Sequence, residues 1–212
     1  MTESDYVQKY IQCLDIDKNT FSVLNIAIND ARLITGRNQS NGKREFKILS
    51  TEHSFLSPYS FIGIINYLLI LDLIGTAFKI KNFTTTKSNN IYKCLKQLSS
   101  LNDKEINVII ALRNSLAHNY SLVNIPHDVK QKDRYHHFSL INDYSDNLVS
   151  NDNQWEGNYS VKNTKNETQI GIENLYDEVE KVILNLKHRA KENSVSLNME
   201  LEEFKMKFTI KN

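Results

Sequence analysis

The chain has 212 residues, of which 40% are hydrophobic and 24% are charged. These values are typical of an ordinary globular protein, either one large domain or a domain with an elaboration, that is long enough for a real core. The formal net charge is +1. That balance excludes an overall basic surface for nucleic acid, so a nucleic-acid partner would have to bind a local patch.

The cysteines and the apolar segments indicate a cytoplasmic protein. Cys13 and Cys94 are far apart and match no metal-ligand spacing, so we expect free thiols in a reducing compartment. The first ten residues, MTESDYVQKY, are acidic and polar and differ from a signal peptide. The longest apolar run, residues 61–75, is short for a membrane span and contains Asn66 and Asp72. It therefore predicts a buried core helix and no membrane partner.

The spacing of apolar residues predicts a mainly α-helical chain, and the small number of prolines and glycines also favours helices. Helices are predicted at about residues 4–17, 21–36, 58–78, 90–101, 104–123 and 173–193. The core-facing residues of the clearest ones are Leu24, Ile28, Ala31, Ile91, Cys94, Leu95, Leu98, Leu175, Val179, Val182, Ile183 and Leu186.

Capping residues and helix breakers set the predicted helix ends. Ser57 is expected to cap the third helix, with Pro58 in its first turn. Asn102 or Asp103 is expected to cap the fifth helix, and Pro126 to end it.

Residues 131–169 differ from the helical segments. The stretch YHHFSL, residues 135–140, alternates with a period of two, which predicts one or more short strands in a loop-rich insertion. Adjacent side chains of a strand point to opposite faces, so His136 and His137 are not expected to share a metal ion. We predict no metal site and no cofactor.

The C-terminal tail fits both a helix face and an alternating strand between residues 197 and 210. The predicted fold class is mainly α, an up-and-down helical bundle with a small β-containing insertion before the last long helix. We predict one domain over residues 1–212, with the insertion at about 131–169 and a C-terminal extension at about 194–212.

The stretch ALRNSLAHNYSL, residues 111–122, holds the candidate functional residues. On a helix with about 100° between residues, polar side chains gather beside the core stripe, around the small Ala117. They are Arg113, Asn114, His118, Tyr120 and Ser121. Asn114 and His118 are one helical turn apart and can touch, and Arg113 is long enough to reach them.

These residue types suit the cleavage of a phosphodiester. Arginine offers a fork of donors for a phosphate and its transition-state charge, and histidine moves protons near neutral pH. Asparagine can orient either one. No nucleophilic cysteine and no carboxylate cluster lies nearby in the sequence, so the matching reaction is metal-independent RNA cleavage by the RNA's own 2′-OH. The alternative is a polar face that hydrogen-bonds another helix.

The segment RNSLAH resembles the Arg-x-x-x-x-His motif of the HEPN superfamily of small helical bundles, many of which are ribonucleases of toxin–antitoxin and phage-defence systems. With Tyr120 it is similar to the motif of HEPN toxins that pair with a minimal nucleotidyltransferase antitoxin. The resemblance implies that His118 is the general base or acid and that Arg113 holds the scissile phosphate. It further implies that Asn114 positions one of them and that Tyr120 lines the site and accepts AMP from the antitoxin.

The resemblance also implies an RNA substrate and a homodimer in which two motifs face each other. Ile110, on the polar side of the predicted helix, would then lie at the dimer seam. Asp72 resembles an acidic residue that HEPN members carry on an earlier helix, although a plain surface position is the simpler interpretation. Ser121 is a second possible supporting residue. The alternative to a nuclease is a catalytically silent HEPN-like module for binding or dimerisation.

Overall fold

The structure, a computed structural model, describes residues 2–45, 60–125, 135–141, 147–150, 155–160 and 167–211. Within these ranges the chain is mainly α-helical with small sheets. The helices are α1 (Glu3–Gln12), α2 (Val23–Ile34), α3 (Phe61–Ala77), α4 (Asn90–Leu98), α5 (Asp103–Asn119), α6 (Ile172–Lys191) and α7 (Leu201–Phe208). The strands are β1 (Asp15–Asp17), β2 (Thr20–Ser22), β3 (Phe78–Ile80), β4 (Val123–Asn124), β5 (His136–Ile141), β6 (Val149–Ser150), β7 (Glu167–Gly171), β8 (Val195–Leu197) and β9 (Thr209–Lys211).

Side-chain caps explain where most of the helices begin. In five of the described helices, the residue before the first turn accepts a backbone N–H with its side chain. These capping residues are Thr2, Ser22, Ser60, Asn89 and Asn102. The predicted Asn102 cap is confirmed, and it forms a capping box with Glu105. The predicted cap Ser57 and the adjacent Pro58 lie outside the described residues.

The core-facing residues predicted for α2, α4 and α6 are all buried, which confirms these three helices. Several helices were predicted to extend beyond their actual last residue. The first helix stops at Gln12, because Cys13 adopts an extended backbone and leads into β1. The tail is both helix and strand: α7 buries Phe204, and β9 pairs with β2.

The short strands predicted within residues 131–169 are present, and they belong to a four-stranded sheet of order β4-β5-β7-β6. Strands β5 and β7 are parallel, and β4 pairs antiparallel with β5. The alternation in residues 135–140 is also present, since His136 is buried and His137 is exposed. Because β4 begins four residues after α5, this sheet is tied to the end of the helix that carries the Arg113 motif.

Helix α3 is the apolar centre of the fold and packs against α2, α4, α5 and α6. Apolar residues occur on all its sides, interrupted by Asn66 and Asp72. Ile62 and Leu69 are exposed. Of the helices described, none is both long and apolar enough to cross a membrane. Gly75 lets α4 approach closely, because a Cβ at this position would overlap the carbonyl group of Asn90.

The placement of Ile110 at a dimer seam was wrong. Its side chain is 1% exposed and belongs to the core. The physical reason is that α5 packs against both α3 and α4. Its buried arc is therefore wider than the single stripe expected from an isolated helix.

A buried charge cluster, which we did not predict, ties the segment after α2 to α6. Arg37 donates to Glu173 at 2.6 Å and to Asp177 at 2.7 Å. The side chains of Arg37 and Glu173 are both 1% exposed. Nearby, Arg32 forms a two-pronged pair with Glu180, which also accepts the hydroxyl of Tyr67. These ion pairs thus anchor residues 36–45 on the core.

The two thiols are expected to differ in reactivity. Both are unpaired; Cys13 is exposed and Cys94 is buried. Burial, with a smaller contribution from the charge of Asp72, raises the pKa of the Cys94 thiol, so this side chain offers little thiolate for reaction. A disulfide reagent should label Cys13 alone in the folded protein and both thiols in denaturant. Cys13→Ser should abolish the labelling of the folded protein, and residual labelling of that variant would contradict this burial.

Candidate active site

The packing of α3 against α5 brings Asp72 and Arg113 together, although they are 41 positions apart. A carboxylate oxygen of Asp72 accepts a hydrogen bond from Nη2 of Arg113 at 2.5 Å. The two side chains are 25% and 22% exposed. Asp72 is therefore an ion-pair partner of the motif arginine, and the simpler interpretation of a plain surface residue is wrong.

The second terminal nitrogen of Arg113 faces the other motif residues. Nη1 lies 3.3 Å from Oδ1 of Asn114 and 3.3 Å from Nε2 of His118. Arginine can only donate, so the contact with His118 is a hydrogen bond when Nε2 is unprotonated and accepts. The guanidinium thus joins Asp72, Asn114 and His118 in one constellation, and its planar fork fixes their relative positions.

The constellation opens to solvent on one side. Ala117, His118 and Asn119 are exposed, whereas Arg113 and Asn114 are half-buried. The Nε atom of Arg113 is shielded from solvent and has no hydrogen-bond partner in the described part of the chain. A ligand that reaches His118 would therefore meet a guanidinium already held in place from behind by Asp72.

Tyr120 and Ser121 are not on the motif helix, so their predicted helical positions were wrong. Tyr120 adopts the left-handed backbone conformation, with φ 49° and ψ 42°, and its N–H turns back to the carbonyls of Ser115 and Leu116. This residue ends α5 six positions before Pro126. Tyr120 as a whole residue is 60% exposed, and the centre of its ring lies 5.5 Å from that of Phe61 in an edge contact.

Ser121 has a local role in the turn that follows the helix. Its hydroxyl accepts the backbone N–H of Val123 at 3.0 Å, which shapes the start of β4. Its own N–H bonds to the carbonyl of Ser115. Thus the geometry assigns Ser121 to the backbone turn, away from the contacts that join Arg113, Asn114 and His118.

A cleft of about 250 Å³ adjoins Arg113, and most of its lining residues were not predicted as site residues from the sequence. It lies between α3, α5 and the start of α4. Its lining residues are Asp72, Ser88, Asn89, Asn90, Ile91, Arg113 and Asn114. Residues 88–90 were predicted only as the approach to and start of the helix at 90–101. The run of Ser and two Asn before an apolar helix was the available signal, but it indicates a cap as readily as a site.

No group of three or more His, Cys, Asp or Glu side chains among the described residues is arranged to hold a metal ion. His136 is buried and its Nδ1 lies 2.8 Å from the hydroxyl of Thr168. It packs on the ring of Phe138, so it has a structural place in the sheet.

Comparison of the chain with known proteins identifies no relative. No protein-family model, no curated protein and no solved structure matches it. Function therefore has to be argued from the residues of this chain and from the geometry around Arg113.

Proposed function

We propose that the protein is a metal-independent endoribonuclease of HEPN type. The observation that carries the proposal is the constellation of Asp72, Arg113, Asn114 and His118 at the open edge of α5. Three polar side chains, those of Asp72, Asn114 and His118, converge there on the guanidinium of Arg113, as an active site requires and a silent module does not. We also propose that α1 to α6 form the up-and-down bundle of that superfamily.

In the proposed reaction, the 2′-oxygen of one ribose attacks the adjacent phosphorus, and the 5′-oxygen of the next nucleotide leaves. A base takes the proton of the 2′-OH and an acid protonates the leaving oxygen. The products are a 2′,3′-cyclic phosphate and a free 5′-OH. Arg113 stabilises the charge that develops on the phosphate oxygens, and Asn114 orients Arg113 or His118.

One His118 cannot easily be both base and acid in the same step, so we propose that two copies of the chain form one site. A twofold axis through the site supplies one histidine for each proton transfer. The exposure of His118 and Ala117 is compatible with an approach of a second copy. Ile110 cannot lie at the dimer surface, as the sequence suggested, because it is buried in the core.

The proposed biological role is that of a toxin or phage-defence effector in the cytoplasm. Tyr120 is the candidate acceptor of AMP from a minimal nucleotidyltransferase antitoxin. Its exposure of 60% supports access by a modifying enzyme. Its position directly after the motif helix would bring the added phosphate close to the entrance of the site.

The proposal is tested by incubating the purified protein with single-stranded RNA in EDTA and analysing the product ends. Cleavage should give 2′,3′-cyclic phosphate and 5′-OH ends. A matched oligonucleotide with 2′-deoxy sugars should resist cleavage, because it lacks the attacking hydroxyl. An uncut RNA, together with unmodified Tyr120 by mass spectrometry, would favour the silent binding or dimerisation module instead.

Asp72→Asn is expected to lower the cleavage rate about tenfold to a hundredfold, because a guanidinium without its ion pair is less well positioned. The fold should be kept, since a partly exposed ion pair contributes at most about 1 kcal/mol. Asp72→Glu should restore part of the rate. Asp30→Asn, at an exposed aspartate of α2, is the matched control. Equal rates for the Asp72→Asn and Asp30→Asn variants would contradict the positioning role of Asp72.

A further inference from the structure

The cleft beside Arg113 has the size of a small single-ring ligand. Its volume is about 250 Å³, below the range of roughly 300–1,000 Å³ that is usual for pockets that enclose drug-sized molecules. It shares Asp72, Arg113 and Asn114 with the proposed active site. A group bound in the cleft would therefore be a direct neighbour of the phosphate at Arg113.

The cleft is balanced in charge and rich in amides. Arg113 is its cation, and the carboxylate of Asp72 pairs with it at the cleft wall. Phosphates are bound mainly by cationic side chains and backbone N–H groups, whereas base edges are read by side chains that offer both donors and acceptors. The three asparagines of the cleft offer such groups, so the lining favours an unpaired base over a second phosphate.

Each of these amides is held at one end by a partner that fixes its orientation. Oδ1 of Asn89 accepts the N–H of Tyr92 at 3.0 Å, and Oδ1 of Asn114 accepts Nη1 of Arg113 at 3.3 Å. Both partners can only donate, so the oxygen of each amide must face them.

Asn90 has the opposite orientation. Its Nδ2 donates to the hydroxyl of Thr76 at 2.7 Å, and that hydroxyl donates its own proton to the carbonyl of Asp72. The hydroxyl can therefore only accept from Asn90. In the described part of the structure, Nδ2 of Asn89, Nδ2 of Asn114 and Oδ1 of Asn90 have no partner. The cleft thus keeps two amide NH₂ groups as donors and one amide oxygen as acceptor for a ligand.

This pattern matches the Watson–Crick edge of a pyrimidine. Uracil presents two acceptors, O2 and O4, and one donor, N3–H; cytosine presents two acceptors, O2 and N3, and one donor, its amino group. Guanine presents one acceptor and two donors, and adenine presents one of each. We propose that the cleft binds one unpaired pyrimidine of the RNA, next to the scissile phosphate. This inference deepens the proposed ribonuclease function and rests on it for the identity of the ligand as RNA.

Two variants of Asn89 test the assignment without removing the cap of α4, since Ser and Asp are also good capping residues. Asn89→Ser removes the amide donor, and Asn89→Asp replaces it with an acceptor. The matched controls are Asn102→Ser and Asn102→Asp, at the capping residue of α5. Asn102 is 11 residues before Arg113, which is about 16 Å along the helix.

The measurement is fluorescence anisotropy with labelled 2′-fluoro oligonucleotides, which cannot be cleaved through a 2′-OH. Four probes share the same adenosine flanks and differ only in a central U, C, A or G. The wild type should bind the U and C probes about tenfold more tightly than the A and G probes. Asn89→Ser should remove this preference, and Asn89→Asp should shift it towards G. The Asn102 variants should keep it.

The inference would be overturned if the wild type bound none of the probes, bound all four equally, or kept its preference in both Asn89 variants. Because the probes are not cleaved, this result is independent of catalysis. A pyrimidine preference in a protein that leaves ordinary RNA intact would contradict the ribonuclease and leave the base site standing. Cleavage of RNA by a protein that binds all four probes equally would support the ribonuclease and contradict the pyrimidine site.

Discussion

Replacing either His118 or Arg113 by alanine is expected to lower the rate of RNA cleavage about a thousandfold or more. A positioned acid or base typically contributes about 10²–10⁴-fold, and in a twofold site each substitution removes both copies of the group. Loss of Arg113 also removes the donor that holds His118 at 3.3 Å. The measurement is the initial rate on a labelled RNA in EDTA, at equal protein concentrations.

Matched controls are available on α6, where His188 and Arg189 are exposed and pair with Glu192. His188→Ala and Arg189→Ala should retain activity within about twofold, because surface ion pairs of this kind contribute little. All four variants should unfold near the wild-type temperature, since His118 is exposed and Arg113 is half-buried. Motif variants that cut as fast as these controls would rule out the assigned active site.

The second large effect concerns stability. Arg37→Met is expected to lower the free energy of unfolding by about 3–5 kcal/mol, because it leaves a buried carboxylate without its partner. Glu173 is 1% exposed, and its other cation, Arg44, is 3.7 Å away and 26% exposed. Arg37 also holds the carbonyl of Gly42, so the substitution frees residues 36–45 from α6. Urea unfolding followed by circular dichroism measures the change.

A double variant separates the effect of an unpaired buried charge on stability from the effect of lost packing. Arg37→Met combined with Glu173→Leu should recover part of the lost stability, because no charge is then left buried. Lys207→Met breaks an exposed pair with Glu203 and should change the stability by less than about 1 kcal/mol. A single Arg37→Met variant as stable as the Lys207→Met variant would show that the buried pair contributes little.

The regular parts of the fold were predictable because the helical period of apolar residues is a local property. Helices α2, α4 and α6 bury the faces that the sequence indicated. The short strands β1, β2 and β9 were not predictable, because a strand of three residues has no measurable period. The pairing of β2 with β9, almost 200 residues away, depends on tertiary contacts. In the tail, the helical interpretation of residues 197–210 holds for α7, whereas β9 begins only at Thr209.

The candidate site was predictable to the extent that it lies on one helix. Arg113, Asn114 and His118 are close because of helical spacing alone. Tyr120 and Ser121 were misplaced, because a left-handed residue that ends a helix leaves no mark on apolar periodicity. Tyrosine is also an uncommon choice for that conformation. Local patterns therefore identified the core of the constellation and missed its boundary.

The residues that other elements bring to the site could not be inferred from spacing. Asp72 meets Arg113 only because α3 packs on α5, and Asn89 and Asn90 reach the cleft because Gly75 lets α4 lie close to α3. The burial of Arg37 was also hidden, since a charged residue beside a polar turn is usually solvated. Each of these features depends on contacts between distant segments.

The most direct test of a paired Arg113–His118 site is the activity of mixed dimers. Wild-type and His118→Ala chains are refolded together at a series of ratios, and RNA cleavage in EDTA is measured at constant total protein. If each site needs His118 from both copies, activity falls as the square of the wild-type fraction, to about a quarter at an equal mixture. A linear fall, to about a half, would contradict the shared site. No cleavage at any ratio, the pure wild type included, would contradict the ribonuclease itself.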